Sequence, residues 1–200
     1  MKRASWLVLL GLGVLACALG PGRSGARAED KQEGKKGTAV EIDGLQSRTP
    51  AGWKEEEVSE TARRMGRLMH FRVPGADGKG DADLFIFYFG PGVGGTNEDN
   101  IKRYKTMFLP PEGKKIDDVT KVETLKVGEV PVTYVDIQGT YKFKKAPFVP
   151  DEKAELRPDQ RMLAVIFESK KGPYYFRLVG PAKTVGQHKK EFDDWLKGFK

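Results

Sequence analysis

Gly90, Gly92 and Gly95 stand at the G-x-G-x-x-G spacing of a dinucleotide-binding turn, after the apolar run 84–89 and before a helical pattern starting at Thr96. In such a turn, bare backbone amides and a helix N-terminus hold a pyrophosphate. The surrounding residues argue otherwise. Asn97-Glu98-Asp99-Asn100 puts two carboxylates where phosphate charge would have to sit, and no Gly-Lys-Ser or Gly-Lys-Thr follows. The flanking strands also read as antiparallel hairpins and not as a parallel βαβ unit. The stretch is a glycine-rich connection from strand to helix, and no cofactor is expected.

Other chemistry is sparse. His70 falls in a β-rich run and His188 on the apolar stripe of a helix, positions of packed or edge histidines and not of metal ligands. Ser47, Ser59 and Ser169 lack any nucleophile motif. Asp77, Asp81 and Asp83 crowd one loop, which could attract calcium, but they miss the alternate-position spacing and the distal Glu of an EF-hand. A solvated hairpin loop is the plainer reading. Asp117-Asp118 and Asp193-Asp194 could act as acid and base only if both members faced a cleft. Neighbours on a helix point apart, so Asp193 and Asp194 are expected on its wet face.

The least ordinary stretch is 140–160, TYKFKKAPFVPDEKAELRPDQ, which separates two strong strands by about 20 residues. It reads as a long loop in which Tyr141, Phe143 and Phe148 mix with Lys142, Lys144 and Lys145. That mixture suits a protein partner, an anionic polymer or a lipid surface. The same aromatics could instead anchor the loop to the domain while the lysines keep it soluble. It is the best candidate partner-binding surface in the sequence.

The N-terminus sets the compartment. Lys2 and Arg3 precede an uncharged apolar stretch from Trp6 to Leu19, and Ala26-Arg27-Ala28 has the small-x-small pattern of a signal peptidase site. Residues 1–28 are therefore expected to be a signal peptide and the protein periplasmic or extracellular. Val14-Leu15-Ala16-Cys17 also resembles a lipobox, so acylation at Cys17 and anchoring to the envelope stays open. Membrane association is expected only in that case. Cys17 is the sole cysteine, so the exported form has no disulfide and must rely on its core. The net charge of +7 includes Lys2, Arg3, Arg23 and Arg27. Removing these four from 35 basic residues leaves 31 against 28 acidic ones, a net charge of +3. Nucleic-acid binding by bulk charge is not expected.

Residues 29–39 read as a flexible leader and 40–200 as one domain, expected to be monomeric. Paired β-rich runs at 67–73 and 84–89, at VETLKV and VPVTYVDI, and at MLAVIFES and YYFRLVG imply three hairpins. Thr96 with Asp99, and Thr184 with Gln187, resemble capping boxes. The second opens a stripe of Val185, Phe192, Trp195 and Phe199 that predicts a C-terminal amphipathic helix. The fold class is α+β: a mainly antiparallel sheet of about six or seven strands packed between helices.

The order TPAGWKEE, LFIFYFGPGVGGTNEDNIKRY, VTYVDIQGTY, RMLAVIFE and GPYYFRLVGPAKTV before a final helix resembles a group of exported bacterial proteins. These are similar in turn to the PsbP-like fold of an extrinsic photosystem II subunit and a Ran-binding import factor. The resemblance spans residues 45–199. It implies an α/β/α sandwich and an adaptor-like, non-catalytic habit of binding other macromolecules. It transfers no catalytic residue. The expected function is an exported binding or accessory protein whose partner is a protein or envelope component. The alternative is a hydrolase or other enzyme with a carboxylate-based site.

Overall fold

The computed structural model describes residues 37–75, 80–145 and 152–200. Ten strands and three helices follow one another: β1 (Ala39–Ile42), β2 (Leu45–Arg48), β3 (Lys54–Glu56), α1 (Glu60–Arg64), β4 (Arg67–Val73), β5 (Ala82–Tyr88), α2 (Asn97–Thr106), β6 (Phe108–Leu109), β7 (Thr120–Val127), β8 (Val130–Phe143), β9 (Glu155–Ser169), β10 (Gly172–Pro181) and α3 (Ala182–Lys197). An eight-stranded sheet has the order β3-β4-β5-β10-β9-β8, with β6 and β7 both on the outer edge of β8. Every pairing in it is antiparallel. The three expected hairpins are β4–β5, β7–β8 and β9–β10. The short strands β3 and β6 bring the sheet to eight.

Helices cover both faces, and the period-2 alternation of the strands sorts side chains between them. Leu163, Val165 and Phe167 of β9, with Phe176 and Leu178 of β10, pack under α3, whose Val185, Phe192, Trp195 and Leu196 are all buried. Met162, Ala164 and Ile166 of β9 face the other way, toward Tyr104 of α2 and Phe108. Burial of each large apolar side chain contributes about 1.5–3 kcal/mol as an upper figure. Two helix-covered faces therefore supply a core without disulfides. The result is an α+β antiparallel sandwich.

A short hairpin, β1–β2, precedes the sheet and turns through Asp43 (φ 49°) and Gly44 (φ 82°). Both central residues of such a tight hairpin need positive φ, which Asp-Gly tolerates. Val40 and Ile42 bury in the α3-side core, and the chain end locks on: Gln46 and Lys200 exchange backbone hydrogen bonds of 2.9 and 3.2 Å.

Two expectations are corrected. Thr184 does not cap α3, because β10 runs directly into the helix at Ala182 and Pro181 occupies the N-cap position. Thr184 lies in the first turn and its hydroxyl donates to the Gly80 carbonyl at 3.0 Å. The two ends of the 140–160 stretch are strand and not loop. β8 continues to Phe143 and β9 begins at Glu155, with Tyr141 opposite Arg157 and Phe143 opposite Glu155. Pro158 and Asp159 (φ 52°) form a register shift opposite Thr140, where a proline removes no ladder hydrogen bond.

Candidate functional site

The strands at the β4–β5 end of the sheet carry aromatic side chains on the same side as α2. Phe85 and Phe87 of β5 share a face by alternation, and Phe89 follows on the same parity. α2 packs on β6 and β8, so arginines cover these rings instead. The Arg67 guanidinium lies 4.4 Å from the Phe85 ring centre and 5.6 Å from that of Phe87, and Arg177 of β10 lies 4.5 Å from Phe87. His70 stacks on Phe85 at 4.6 Å, and Phe89 stacks on Phe87 at 6.0 Å. Phe89 is 41% exposed and Leu68 is 40% exposed.

This band is electropositive and largely dry. Burial first, and then repulsion from Arg177, hold the pKa of Arg67 below the ordinary arginine value, while Asp83 acts in the opposite sense. Burial also lowers that of Arg177, with Tyr141 and Tyr104 opposing and Arg103 reinforcing. Asp83 is spoken for by its neighbours: its Oδ1 lies 2.7 Å from His70 Nε2 and 3.5 Å from Arg72 Nη1. Guanidiniums stacked on rings lose water from their planes and keep their N–H edges for a ligand.

The glycine-rich turn borders the band. Gly94 packs against the Tyr175 ring, which lies 5.5 Å from Phe89. The Gly94 carbonyl accepts from Asn100 Nδ2 at 2.9 Å and Arg103 Nη2 at 3.2 Å. The α2 N-terminus is closed by its own capping box: Asp99 N–H donates to Thr96 Oγ1 at 3.1 Å, and Thr96 N–H to Asp99 Oδ2 at 3.2 Å. With antiparallel neighbours and a filled cap, the turn lacks the setting in which glycines cradle a pyrophosphate.

The hairpin arm at the other end joins the same side. Tyr141 packs 5.2 Å from Phe108 and 6.5 Å from Phe143, and the Arg157 guanidinium lies 3.6 Å over Phe143. Alternation sends Lys142 to the opposite face beside Leu156, so Lys142 does not share a surface with Tyr141 and Phe143. Lys144 and Lys145 are exposed beyond the strand end. Phe148 and Cys17 lie outside the described residues. Sequence reasoning passed over Arg67 and Arg177. The available signal was an arginine interrupting the buried run YYFRLVG.

The carboxylates converge elsewhere, on the α3 side. Around a cavity of about 140 Å³, Arg161 forks onto Asp136 with bonds of 2.8 and 2.6 Å. Tyr134 Oη donates to Asp193 Oδ1 at 2.9 Å and Lys189 Nζ to Asp193 Oδ2 at 2.6 Å. Asp193 is thus half-buried against the sheet and not on the wet face. Asp194 does stay exposed and pairs with Lys190 at 2.5 Å. Burial, followed by the Asp193 charge, pushes the Tyr134 hydroxyl far above its usual range. Asp136 and Asp193 are each held by a cation, which makes them a clasp between β8, β9 and α3.

Of the loop carboxylates Asp77, Asp81 and Asp83, Asp77 lies outside the described residues. Among the described residues no group of three His, Cys, Asp or Glu side chains could hold an ion. Asp81 accepts from the Gly75 N–H at 2.9 Å, and His188 sits between Glu191 and the Pro74 carbonyl at 2.6 and 2.9 Å. No described helix is long and apolar enough to cross a membrane.

No protein-family model matches the chain, and no curated protein matches it in sequence. Among solved structures it is similar to that of cyanobacterial PsbP (CyanoP) from Synechocystis sp. PCC 6803. The TM-score is 0.50 and the identity 14%, over 90% of this chain and 99% of that one. At that identity the likeness speaks for architecture alone. An antiparallel sheet between helices, matched over nearly the whole length of the cyanobacterial structure, gives this chain the PsbP-like fold.

Proposed function

We propose that the protein is an exported, non-catalytic binding or accessory module whose working surface is the α2 side of its sheet. The observation that carries this reading is the aromatic–arginine band Phe85–Arg67–Phe87–Arg177, edged by exposed Phe89 and Leu68. Aromatic side chains and arginine are the residues that dominate the energetics of protein interfaces. A sheet face finished by side chains instead of a helix leaves them within reach of a partner. The adaptor-like habit implied by the sequence resemblance supports the same reading. Export is supported by the N-terminal pattern, with release after Ala28 or acylation at Cys17 as the two processing routes.

The test is capture of partners from envelope extract on immobilised residues 29–200, comparing wild type with Phe89→Ala/Leu68→Ala. Both side chains are on the rim, so the variant is expected to fold, as circular dichroism would show. Loss of a captured protein supports the surface. An unchanged set of captured proteins overturns it.

A further inference from the structure

We infer that Arg67 and Arg177 together form a receptor for a carboxylate carried by an acidic, aromatic-bearing polypeptide segment of the partner. The inference rests on the working surface proposed above and names the chemistry it recognises. Both guanidiniums lie within 5.6 Å of one ring centre, that of Phe87. Among the described residues neither has a carboxylate within salt-bridge distance. Arg67 Nε is buried with no acceptor, and Arg177 Nη1 has only the Met107 sulfur, at 3.8 Å. Thioether sulfur is a weak acceptor.

The neighbouring groups relieve that charge only in part. Asp83 acts on Arg67 but is itself paired with His70 and Arg72, and Arg103 adds a further positive charge beside Arg177. Two largely buried cations without an anion cost folding free energy. An incoming carboxylate removes that cost and offers the planar, forked geometry a guanidinium matches. The rim decides what carries the carboxylate. Phe89, which stacks on the Phe87 ring, and Leu68, the chain neighbour of Arg67, are exposed and fit apolar side chains of a peptide, which an inorganic anion lacks.

The experiment measures fluorescence anisotropy of a labelled, end-blocked pentapeptide alternating glutamate and phenylalanine against wild type, Arg177→Met and Arg67→Gln. Parallel arms use a glutamine-for-glutamate peptide, inorganic phosphate and anionic phospholipid vesicles, all at matched ionic strength. The acidic peptide is expected to bind wild type and to weaken by about tenfold or more in each variant, with the glutamine peptide weak throughout. Arg177→Met is also expected to melt higher than wild type without ligand, since it removes an unpaired buried charge. Equal affinity for all three proteins, equal binding of the glutamine peptide, or a response to phosphate or vesicles alone would each overturn the inference. If the acidic peptide fails while Phe89→Ala/Leu68→Ala still loses its captured partner, the carboxylate receptor falls and the working surface stands. If that variant loses nothing, the surface itself falls.

Discussion

Arg161 and Asp136 sit diagonally across the β8–β9 ladder, joined by two parallel hydrogen bonds of 2.8 and 2.6 Å, and their side chains are only 15% and 14% exposed. A bidentate pair this sheltered is worth more than a surface ion pair, and breaking one side leaves the other charge stranded. Arg161→Met is therefore expected to destabilise the fold by about 2 kcal/mol. Adding Asp136→Asn should recover part of that loss. Urea denaturation of both singles and the double closes the cycle, and strictly additive losses would show that the two groups are not coupled.

Phe192 anchors α3 to the sheet. It is fully buried, and its ring centre lies 6.5 Å from Trp53, 5.9 Å from Trp195 and 6.2 Å from Tyr134. Phe192→Ala should cost about 3–5 kcal/mol through lost transfer energy and a residual cavity. Because two tryptophans line that cavity, their emission should shift in the folded variant as well. A loss below about 1 kcal/mol would mean that α3 is not the principal cover of this face.

Much of the architecture was legible because single residues carried it. The stripe Val185, Phe192, Trp195, Phe199 has helical spacing and is buried as that spacing requires. The Thr96–Asp99 capping box is present bond for bond. What stayed hidden depended on other parts of the chain. Thr184 with Gln187 has the spacing of a cap, but a strand running straight into α3 starts the helix three residues earlier. Tyr141-Lys142-Phe143 has the period of a strand, yet its place between two stronger strand runs about 20 residues apart read as a loop. The candidate site was least legible. Arg67 and Arg177 stand more than a hundred positions apart in sequence and meet only because β10 inserts beside β5. A linear motif cannot express that.

Glycines 92 and 94 allow a controlled comparison within one loop. Gly92 has φ 70° with open space where a Cβ would point, whereas at Gly94 (φ 112°) that atom would overlap the Tyr175 hydroxyl. Gly92→Ala should cost about 1 kcal/mol, the strain of a left-handed conformation alone. Gly94→Ala should cost at least about 1 kcal/mol more, because Tyr175 must move as well. Thermal melts of the two variants decide it, and equal costs would show that the Gly94–Tyr175 contact is loose.

Acid should loosen the start of α2. The Thr96 hydroxyl, then the Thr96 N–H, hold the Asp99 pKa below its ordinary value of 3.8, with Lys102 and Arg103 assisting. A carboxyl depressed on folding adds stability that is complete above its unfolded value and disappears as pH falls through the folded one. The difference in urea midpoint between wild type and Asp99→Asn should therefore be constant from pH 7 to about 5. It should narrow once pH drops below about 4. Curves that stay parallel down to pH 2 would remove Asp99 from the account of α2.

The hairpin arm tests where the working surface ends. Phe143 lies under the Arg157 guanidinium at 3.6 Å, and Arg157 is independently tied to Glu155 by bonds of 2.9 and 3.1 Å. Removing the ring takes away one exposed cation–π contact, so Phe143→Ala should change stability by no more than about 1 kcal/mol. Tyr141→Ala should cost more, because Tyr141 packs on the buried Phe108. Stability and binding therefore separate at these two neighbours. If the band reaches the arm, Phe143→Ala captures less partner than wild type at unchanged stability, and Phe148→Ala added to it captures less again. If capture follows Phe89 and Leu68 alone, the band stops at Arg177, and Tyr141 and Phe143 serve only to hold the long β8–β9 hairpin together.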